Sequence, residues 1–227
     1  MRKPKLLALC FSCLAVGMRP AVGQGSFQNL DFEAANIQQN QSPGTVNATD
    51  AIPGWAAFIG INQQSQVYYN DPSLGTTSIS LLGNNYSIEG EFSVLLQGGL
   101  VSTPNGFVPM DASISQTGIV PSGSMSILFK AAPGSGTLLL SFGSQHISFF
   151  PQPNPSGSVL LSADVSPVAG QSTYLEFSAL SPGSSSVNNW IIDSIEFSTQ
   201  SVPEPNVFGL LALGMVTLAL SRRRRAR

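Results

Sequence analysis

The central part of this sequence lacks cysteine and has a single histidine. Both cysteines, Cys10 and Cys13, lie within the first 23 residues, so residues 24–201 contain none. Without cysteine this region has no disulfide framework, no thiolate metal site and no cysteine nucleophile. Because His146 is the one histidine of the chain, a site built from several histidines is also excluded. Residues 24–201 must therefore fold on a hydrophobic core alone.

Basic side chains are almost absent from the same region. Of the ten Lys and Arg residues, only Lys130 lies between residues 24 and 201, together with eleven Asp and Glu residues, giving that region a net charge of −10. So acidic a domain has no electrostatic basis for binding nucleic acid or an anionic lipid surface. It favours cations, calcium among them, and neutral partners instead.

The N-terminus has the pattern of a secretory signal peptide. Three of the first five residues are basic, and Leu6–Met18 is an apolar run of 13 residues. Small residues at Ala21–Gly23 then provide a cleavage site for signal peptidase. We predict that residues 1–23 form a signal-peptide helix that is removed on export, and that both cysteines are removed with it.

The sequence of the body, residues 24–201, is typical of an all-β domain. No long helical periodicity is present, and short runs rich in β-branched, aromatic and leucine residues end at Gly, Pro, Asn or Ser. In Thr173–Ala179, Leu175, Phe177 and Ala179 alternate with polar or amphipathic side chains. Period two with one polar face indicates antiparallel sheets on a shared core. We predict one domain, a single antiparallel β-sandwich of the jelly-roll type.

The last 26 residues have three parts in a fixed order. Val202, Pro203, Glu204 and Pro205 form an extended hinge, because the two prolines prevent continuation of a helix or strand. An uncharged apolar run, Val207–Leu220, follows and predicts one hydrophobic helix. The basic end, residues 222–227, favours the cytoplasmic side of a membrane; its arginines are Arg222, Arg223, Arg224, Arg225 and Arg227.

This arrangement resembles the PEP-CTERM sorting tail. The resemblance implies that a membrane-embedded exosortase cuts the chain near Val202–Pro205 and passes it to the cell surface or extracellular matrix. An ordinary single-span tail anchor is the alternative. The apolar run has 14 residues and spans roughly 21 Å as a helix, against a bilayer core of about 30 Å. Its length favours a transient inner-membrane anchor.

The two ends of the body resemble the opening and closing strands of galactose-binding-like jelly rolls, a superfamily that includes carbohydrate-binding modules. The matching segments are Phe27–Glu33 and Asn189–Phe197, although Ser194 stands where a second acid is common. The resemblance implies that Glu33 and Asp193 help to hold a structural Ca²⁺. The alternative is that Asp193 bonds to loop amides and Glu33 is solvated. No other cofactor is required.

Exposed aromatic rings are the candidates for binding an extracellular polysaccharide, because neutral sugars stack on flat side chains. Tyr68 and Tyr69 are adjacent, so one of them points outward, and Tyr174 lies on the polar face of its predicted strand. We therefore consider Tyr68, Tyr69 and Tyr174 as ligand-stacking residues.

No catalytic residue is predicted. Nothing local in the sequence pairs His146 with both a serine and an acid. Glu89 and Glu91 share a face if their segment is extended, and paired carboxylates can hydrolyse a glycoside. Three hypotheses stay open: a non-enzymatic glycan-binding surface or matrix protein, an exported polysaccharide hydrolase, and a purely structural or adhesive module.

Overall fold

The computed structural model describes residues 26–38, 41–72, 74–134, 136–152 and 158–202. Across these ranges the chain forms fifteen strands, one short helix and two 3-10 turns. The strands are β1 (Gly44–Asn47), β2 (Ala56–Ile59), β3 (Asn62–Gln64), β4 (Gln66–Tyr69), β5 (Ser78–Gly83), β6 (Phe92–Thr103), β7 (Gly106–Met110), β8 (Ala112–Ile119), β9 (Ser126–Pro133), β10 (Leu138–Phe142), β11 (Gln145–Ile147), β12 (Phe149–Gln152), β13 (Val159–Asp164), β14 (Ser172–Ala179) and β15 (Asn188–Ser198). The helix α1 covers Ala48–Ala51, and the 3-10 turns cover Asn84–Tyr86 and Ser166–Val168.

The strands of the described ranges form two sheets. The larger has nine strands in the order β1-β4-β5-β6-β15-β9-β13-β12, with β7 paired to β6. The smaller has six, in the order β11-β10-β14-β8-β2-β3. Neighbouring strands are antiparallel except for β4 and β5, which pair in parallel at Tyr68 and Tyr69. The predicted all-β, two-sheet sandwich is confirmed, with this parallel pair as an exception, and jelly-roll connectivity stays a prediction.

The core lies between the two sheets. Phe129 of β9 and Phe177 of β14 meet edge to face, with ring centroids 5.0 Å apart. Leu175, Phe177 and Ala179 are all fully buried, as the alternation in β14 predicts. Burying one such large apolar side chain is worth about 1.5–3 kcal/mol, so the sandwich gains its stability from these facing rows.

The opening segment, Phe27–Glu33, is not the strand that the sequence suggested. Asn29 and Phe32 have φ angles of 49° and 61°, which turn the chain. Phe32 is nevertheless fully buried, and the Trp55 indole N–H donates to the carbonyl of Asn29 at 3.0 Å. The segment therefore contributes Phe27 and Phe32 to the core from a turn.

The outward face of β5 and β6 is buried as well as the inward face. Ser80, Ser93 and Gln97 point away from the core, yet all three are fully buried. Two loops cover them: Asp71 N–H donates to Ser80 Oγ at 3.3 Å, and Gln97 Nε2 donates to the carbonyl of Thr76 at 2.6 Å. Polar side chains on this face therefore hold loops rather than face water.

The last strand, β15, contains a β-bulge. Asp193 pairs with Lys130 and Glu196 with Leu128, so β15 has one extra residue over this interval. Ser194 has a φ of 47°, and the Ile195 N–H leaves the ladder and donates to the carbonyl of Leu30 at 2.9 Å. A bulge re-aims the side chains around it. Ile195 therefore enters the core beside Ile192, and Asp193 points to the outer face of the larger sheet.

Four predicted segments lie outside the described residues: the signal-peptide helix, residues 1–23, Pro203–Pro205 of the sorting motif, the hydrophobic helix, Val207–Leu220, and the basic end, residues 222–227. Within the ranges given above, no helix has the length and apolar character needed to cross a membrane.

Candidate functional site

Asp193 is the most buried acidic side chain at the bulge, with 1% of its surface exposed. Its Oδ2 atom accepts hydrogen bonds from the Glu89 backbone N–H at 3.0 Å and from the Ser93 hydroxyl at 2.6 Å. Its Oδ1 atom accepts from the Ser194 N–H at 2.6 Å. Three donors around one carboxylate offset much of the cost of removing it from water.

Glu33 binds the same loop from the other side. Its Oε1 atom accepts from the backbone N–H groups of Glu91 and Phe92, at 2.9 Å and 3.0 Å. Gly90 lies directly against this carboxylate, and a Cβ atom built there would overlap it. Glu33 and Asp193 thus hold residues 89–93 between them.

Glu89 completes the cluster on its exposed side. Its Oε2 atom forms an ion pair with the Lys130 ammonium group and accepts a hydrogen bond from the Ser194 hydroxyl. Lys130 is therefore joined to the loop and not free to attract an anionic ligand.

The environment shifts two carboxyl pKa values in opposite directions. Burial, supported by the nearby charge of Glu33, raises the pKa of Asp193 against the lowering effect of its hydrogen bonds. Hydrogen bonding to Lys130, and then to Ser194, lowers the pKa of Glu89. A lowered pKa makes Glu89 a poor general acid near neutral pH.

These carboxylates do not fit a calcium site as they stand. Ca²⁺ requires six to eight oxygen ligands, and here the Asp193 oxygens and Glu33 Oε1 already accept from protein donors. In the described part of the chain no group of three or more Asp, Glu, His or Cys side chains gathers for a metal. The geometry supports the loop-amide interpretation of Asp193 that the sequence left open. The same interpretation left Glu33 solvated. Its carboxylate is exposed, but it also accepts hydrogen bonds from the backbone N–H groups of Glu91 and Phe92.

The Tyr68 cleft is a separate feature on the side of the sandwich. It has a volume of about 210 Å³ and lies where the start of β4 separates from the start of β5. We define it by its lining residues: Thr45, Ile59, Gln64, Gln66, Val67, Tyr68, Thr77 and Ile79. The parallel pairing of β4 and β5 begins only at Tyr68 and Ser80, which leaves this gap.

The three tyrosines proposed for stacking differ in exposure. Tyr68 is half-buried at the cleft. Tyr69 is 0% exposed and packs in the core, so its ring cannot stack on a ligand, which corrects that part of the prediction. Tyr174 is 41% exposed on the outer face of the smaller sheet, opposite Thr117 of β8.

His146 has a partner that the sequence interpretation missed. Its Nδ1 atom lies 2.9 Å from Ser141 Oγ, because the β10–β11 hairpin places the two residues opposite each other. The signal for this pairing in the sequence was the Gly143–Ser144 turn, which joins two short runs and is typical of a hairpin. Ser141 is only 4% exposed, so its hydroxyl is poorly placed to attack a substrate.

The chain leaves the sandwich beside a groove of about 310 Å³ on the larger sheet. Ser198 accepts from the Met125 N–H at 2.8 Å, and the Ser126 hydroxyl donates to the carbonyl of Gln200 at 2.7 Å. The exit is thus fixed to the body up to Gln200. The described chain ends at Val202, which lies at the groove.

The segment that follows this exit matches a family model for the PEP-CTERM protein-sorting motif over residues 201–225. The chain carries a PEP-CTERM sorting motif. The predicted recognition of this tail is confirmed. A PEP-CTERM motif supports an exported, cell-surface protein and implies processing by exosortase.

Comparisons of the body give only distant likenesses. The K1 cleaved adhesin domain of Lys-gingipain from Porphyromonas gingivalis W83 is 12% identical with a TM-score of 0.38, covering 71% of this chain and all of that domain. The enzymatically active domain of tailspike protein 4 from bacteriophage CBA120 is 15% identical with a TM-score of 0.30, covering 73% of this chain and 21% of that one. Neither likeness is close enough to assign an activity. No curated protein matches the PEP-CTERM chain.

Proposed function

We propose that this PEP-CTERM protein is a non-enzymatic surface or matrix protein that exosortase processing releases from a transient inner-membrane anchor. The observation that carries the proposal is the position of the motif, which begins at residue 201. The last hydrogen bond that fixes the exit is made by Gln200. A cut near Val202–Pro205 therefore removes the apolar run and the arginines and leaves the sandwich intact.

The length of the apolar run supports the transient anchor. At about 1.5 Å per residue, its 14 residues fall short of a bilayer core by roughly a third. Such a hydrophobic mismatch has a modest free-energy cost, which favours temporary over permanent insertion of the run in the membrane.

The arrangement of the acidic side chains supports a non-enzymatic role. A glycosidase requires one carboxyl group that is protonated near neutral pH beside one that is ionised. Glu89 is held ionised by Lys130, so it does not supply the protonated group. Asp193 is enclosed by loop donors and does not reach a substrate.

Mature-protein mass in an exosortase-containing cell tests the proposal. We expect the surface fraction to lack both residues 1–23 and the segment beyond the motif. Glu204→Ala should leave the full C-terminus attached and retain the protein in the inner membrane. Glu196→Ala, which removes an exposed acid eight residues earlier, should be processed normally. A surface species that still carries the apolar run and the arginines would contradict the proposal.

A further inference from the structure

We propose that the Tyr68 cleft binds a single uncharged sugar residue of an extracellular polysaccharide. This inference rests on the proposed surface location, because that location exposes the sandwich to polysaccharide. It adds the site, the chemical class of the ligand and the residues that select it.

The cleft has unused hydrogen-bonding groups beside an aromatic residue. The side chains of Thr45, Gln66 and Tyr68 make no hydrogen bond to another described residue. Together they offer two hydroxyls and one primary amide, which donate and accept without charge. Gln64 donates through Nε2 to the carbonyl of Asn62 at 2.8 Å, so its side-chain oxygen stays available as an acceptor.

The floor of the cleft is apolar. Ile59 is half-buried, while Val67 and Ile79 are 3% and 2% exposed and belong to the core. A pyranose ring has this same division, with C–H groups on its faces and hydroxyls around its edge. An apolar floor with a half-buried tyrosine and a rim of neutral polar groups therefore complements one sugar ring.

Charge and size narrow the class of ligand. None of the eight lining residues is charged, so phosphate, carboxylate and metal ligands find no counter-charge there. The net charge of −10 on residues 24–201 also opposes an acidic polysaccharide. A volume of about 210 Å³ is below the roughly 300–1,000 Å³ of pockets for drug-sized molecules and suits a single ring.

The other two large cavities lack this combination. The groove beside the exit of β15 is partly filled by the chain's own residues 198–202. The groove between β10 and β12 has a volume of about 370 Å³, and seven of its eight lining residues are leucine, isoleucine, phenylalanine or histidine, which offer no hydroxyl. Among these three cavities, the Tyr68 cleft is therefore the one that combines a neutral polar rim with an aromatic ring.

Calorimetric titration of the full chain with neutral oligosaccharides tests the inference. The chain should be held in an uncharged detergent without a sugar head group, so that binding is measured whether or not processing occurs. The probes are oligomers of glucose, galactose, mannose and N-acetylglucosamine, with oligogalacturonate as the acidic counterpart. We expect at least one neutral oligomer to bind and the acidic one not to bind.

Variants then locate the site. Tyr68→Ala should weaken binding about fivefold or more, since a lost ring contact is worth about one kcal/mol or above. Tyr86→Ala is the matched control, because it removes an exposed tyrosine that does not line the cleft and should leave binding unchanged. Gln66→Ala and Tyr68→Phe alter only the rim, so they test the site even if Tyr68→Ala unfolds the protein. We expect both to weaken binding severalfold.

Three results would overturn the inference: no binding of any neutral oligomer, equal loss with Tyr68→Ala and Tyr86→Ala, or full affinity in both rim variants. Because these measurements use unprocessed protein, such a failure leaves the processing proposal intact. A failure of processing likewise leaves the binding result valid.

Discussion

The Ser93 hydroxyl donates a hydrogen bond to Asp193 Oδ2 at 2.6 Å, joining β6 and β15 on the outer face of the larger sheet. Ser93 Oγ also accepts from the Ile88 N–H at 2.8 Å. The Ser93 hydroxyl therefore donates to a buried carboxylate and accepts from a loop amide at the same time. Removing it takes the acceptor from the Ile88 amide and one of three donors from the Asp193 carboxylate.

Ser93→Ala should lower the free energy of unfolding by about 1–3 kcal/mol, because the carboxylate and the amide each lose a hydrogen bond in a buried place. Ser102→Ala, on the exposed part of the β6–β7 hairpin, is the control and should change stability little. Denaturant unfolding measures both. Equal effects of the two substitutions would refute the role assigned to Ser93.

Gly90→Ala should destabilise the protein more than Gly75→Ala. Both glycines have positive φ angles, 60° and 66°, so both variants bear a similar backbone strain of about 1–2 kcal/mol. At Gly90 the new methyl group also collides with the Glu33 carboxylate, whereas at Gly75 nothing lies within 4 Å. The difference in unfolding free energy therefore isolates the Glu33 contact, and no difference would show that the loop simply shifts.

Asp193 should make stability fall as pH rises. Its pKa is raised in the folded protein, chiefly by burial, so the folded state holds the proton more tightly than the unfolded state. This contribution is complete below the unfolded pKa of about 3.9 and is lost as pH rises through the higher folded value. Unfolding of Asp193→Asn from pH 3.5 to 7 should lack this decline, whereas Glu196→Gln should retain it. Parallel curves for wild type and Asp193→Asn would contradict the assignment.

Lys130→Met should raise the pKa of Glu89 toward its ordinary value, because the Lys130 hydrogen bond is the largest cause of its lowering. The stability that the pair provides is present above the unfolded pKa of Glu89 and is lost as pH falls through the folded value. It should be small, about 0–1 kcal/mol, since the pair is largely exposed. An NMR titration of the Glu89 carboxyl measures the shift. An unchanged titration would mean that Ser194 holds the carboxylate without Lys130.

The sequence predicted the parts of the fold that depend on alternation. Leu175 and Phe177 entered the core because period two is visible in β14. The bulge at Ser194 was not visible, since one extra residue reverses the faces of a strand without changing its composition. Alternation alone places Asp193 on the same face as Ile195, whereas Ile192 and Ile195 are the core residues and Asp193 lies on the outer face.

The candidate sites depended on contacts distant in sequence. Tyr68 could be proposed as an outward ring, but the gap that forms its cleft arises from the parallel pairing of β4 with β5. The packing of the opening segment likewise brings Glu33 to Gly90. Such contacts are set by the whole packed structure and not by any short stretch of residues.

The central place of β15 has a mechanical consequence. This strand bonds to β6 through Asn188–Ile192 and to β9 through Trp190–Ser198, and the sorting tail continues directly from it. Tension applied through the C-terminus acts along the strand axis, so it loads the hydrogen bonds of both edges in shear and not one after another. Before the tail is removed, a sandwich pulled through it should resist unzipping, because the tail continues a strand that is paired on both sides over Trp190–Ile192.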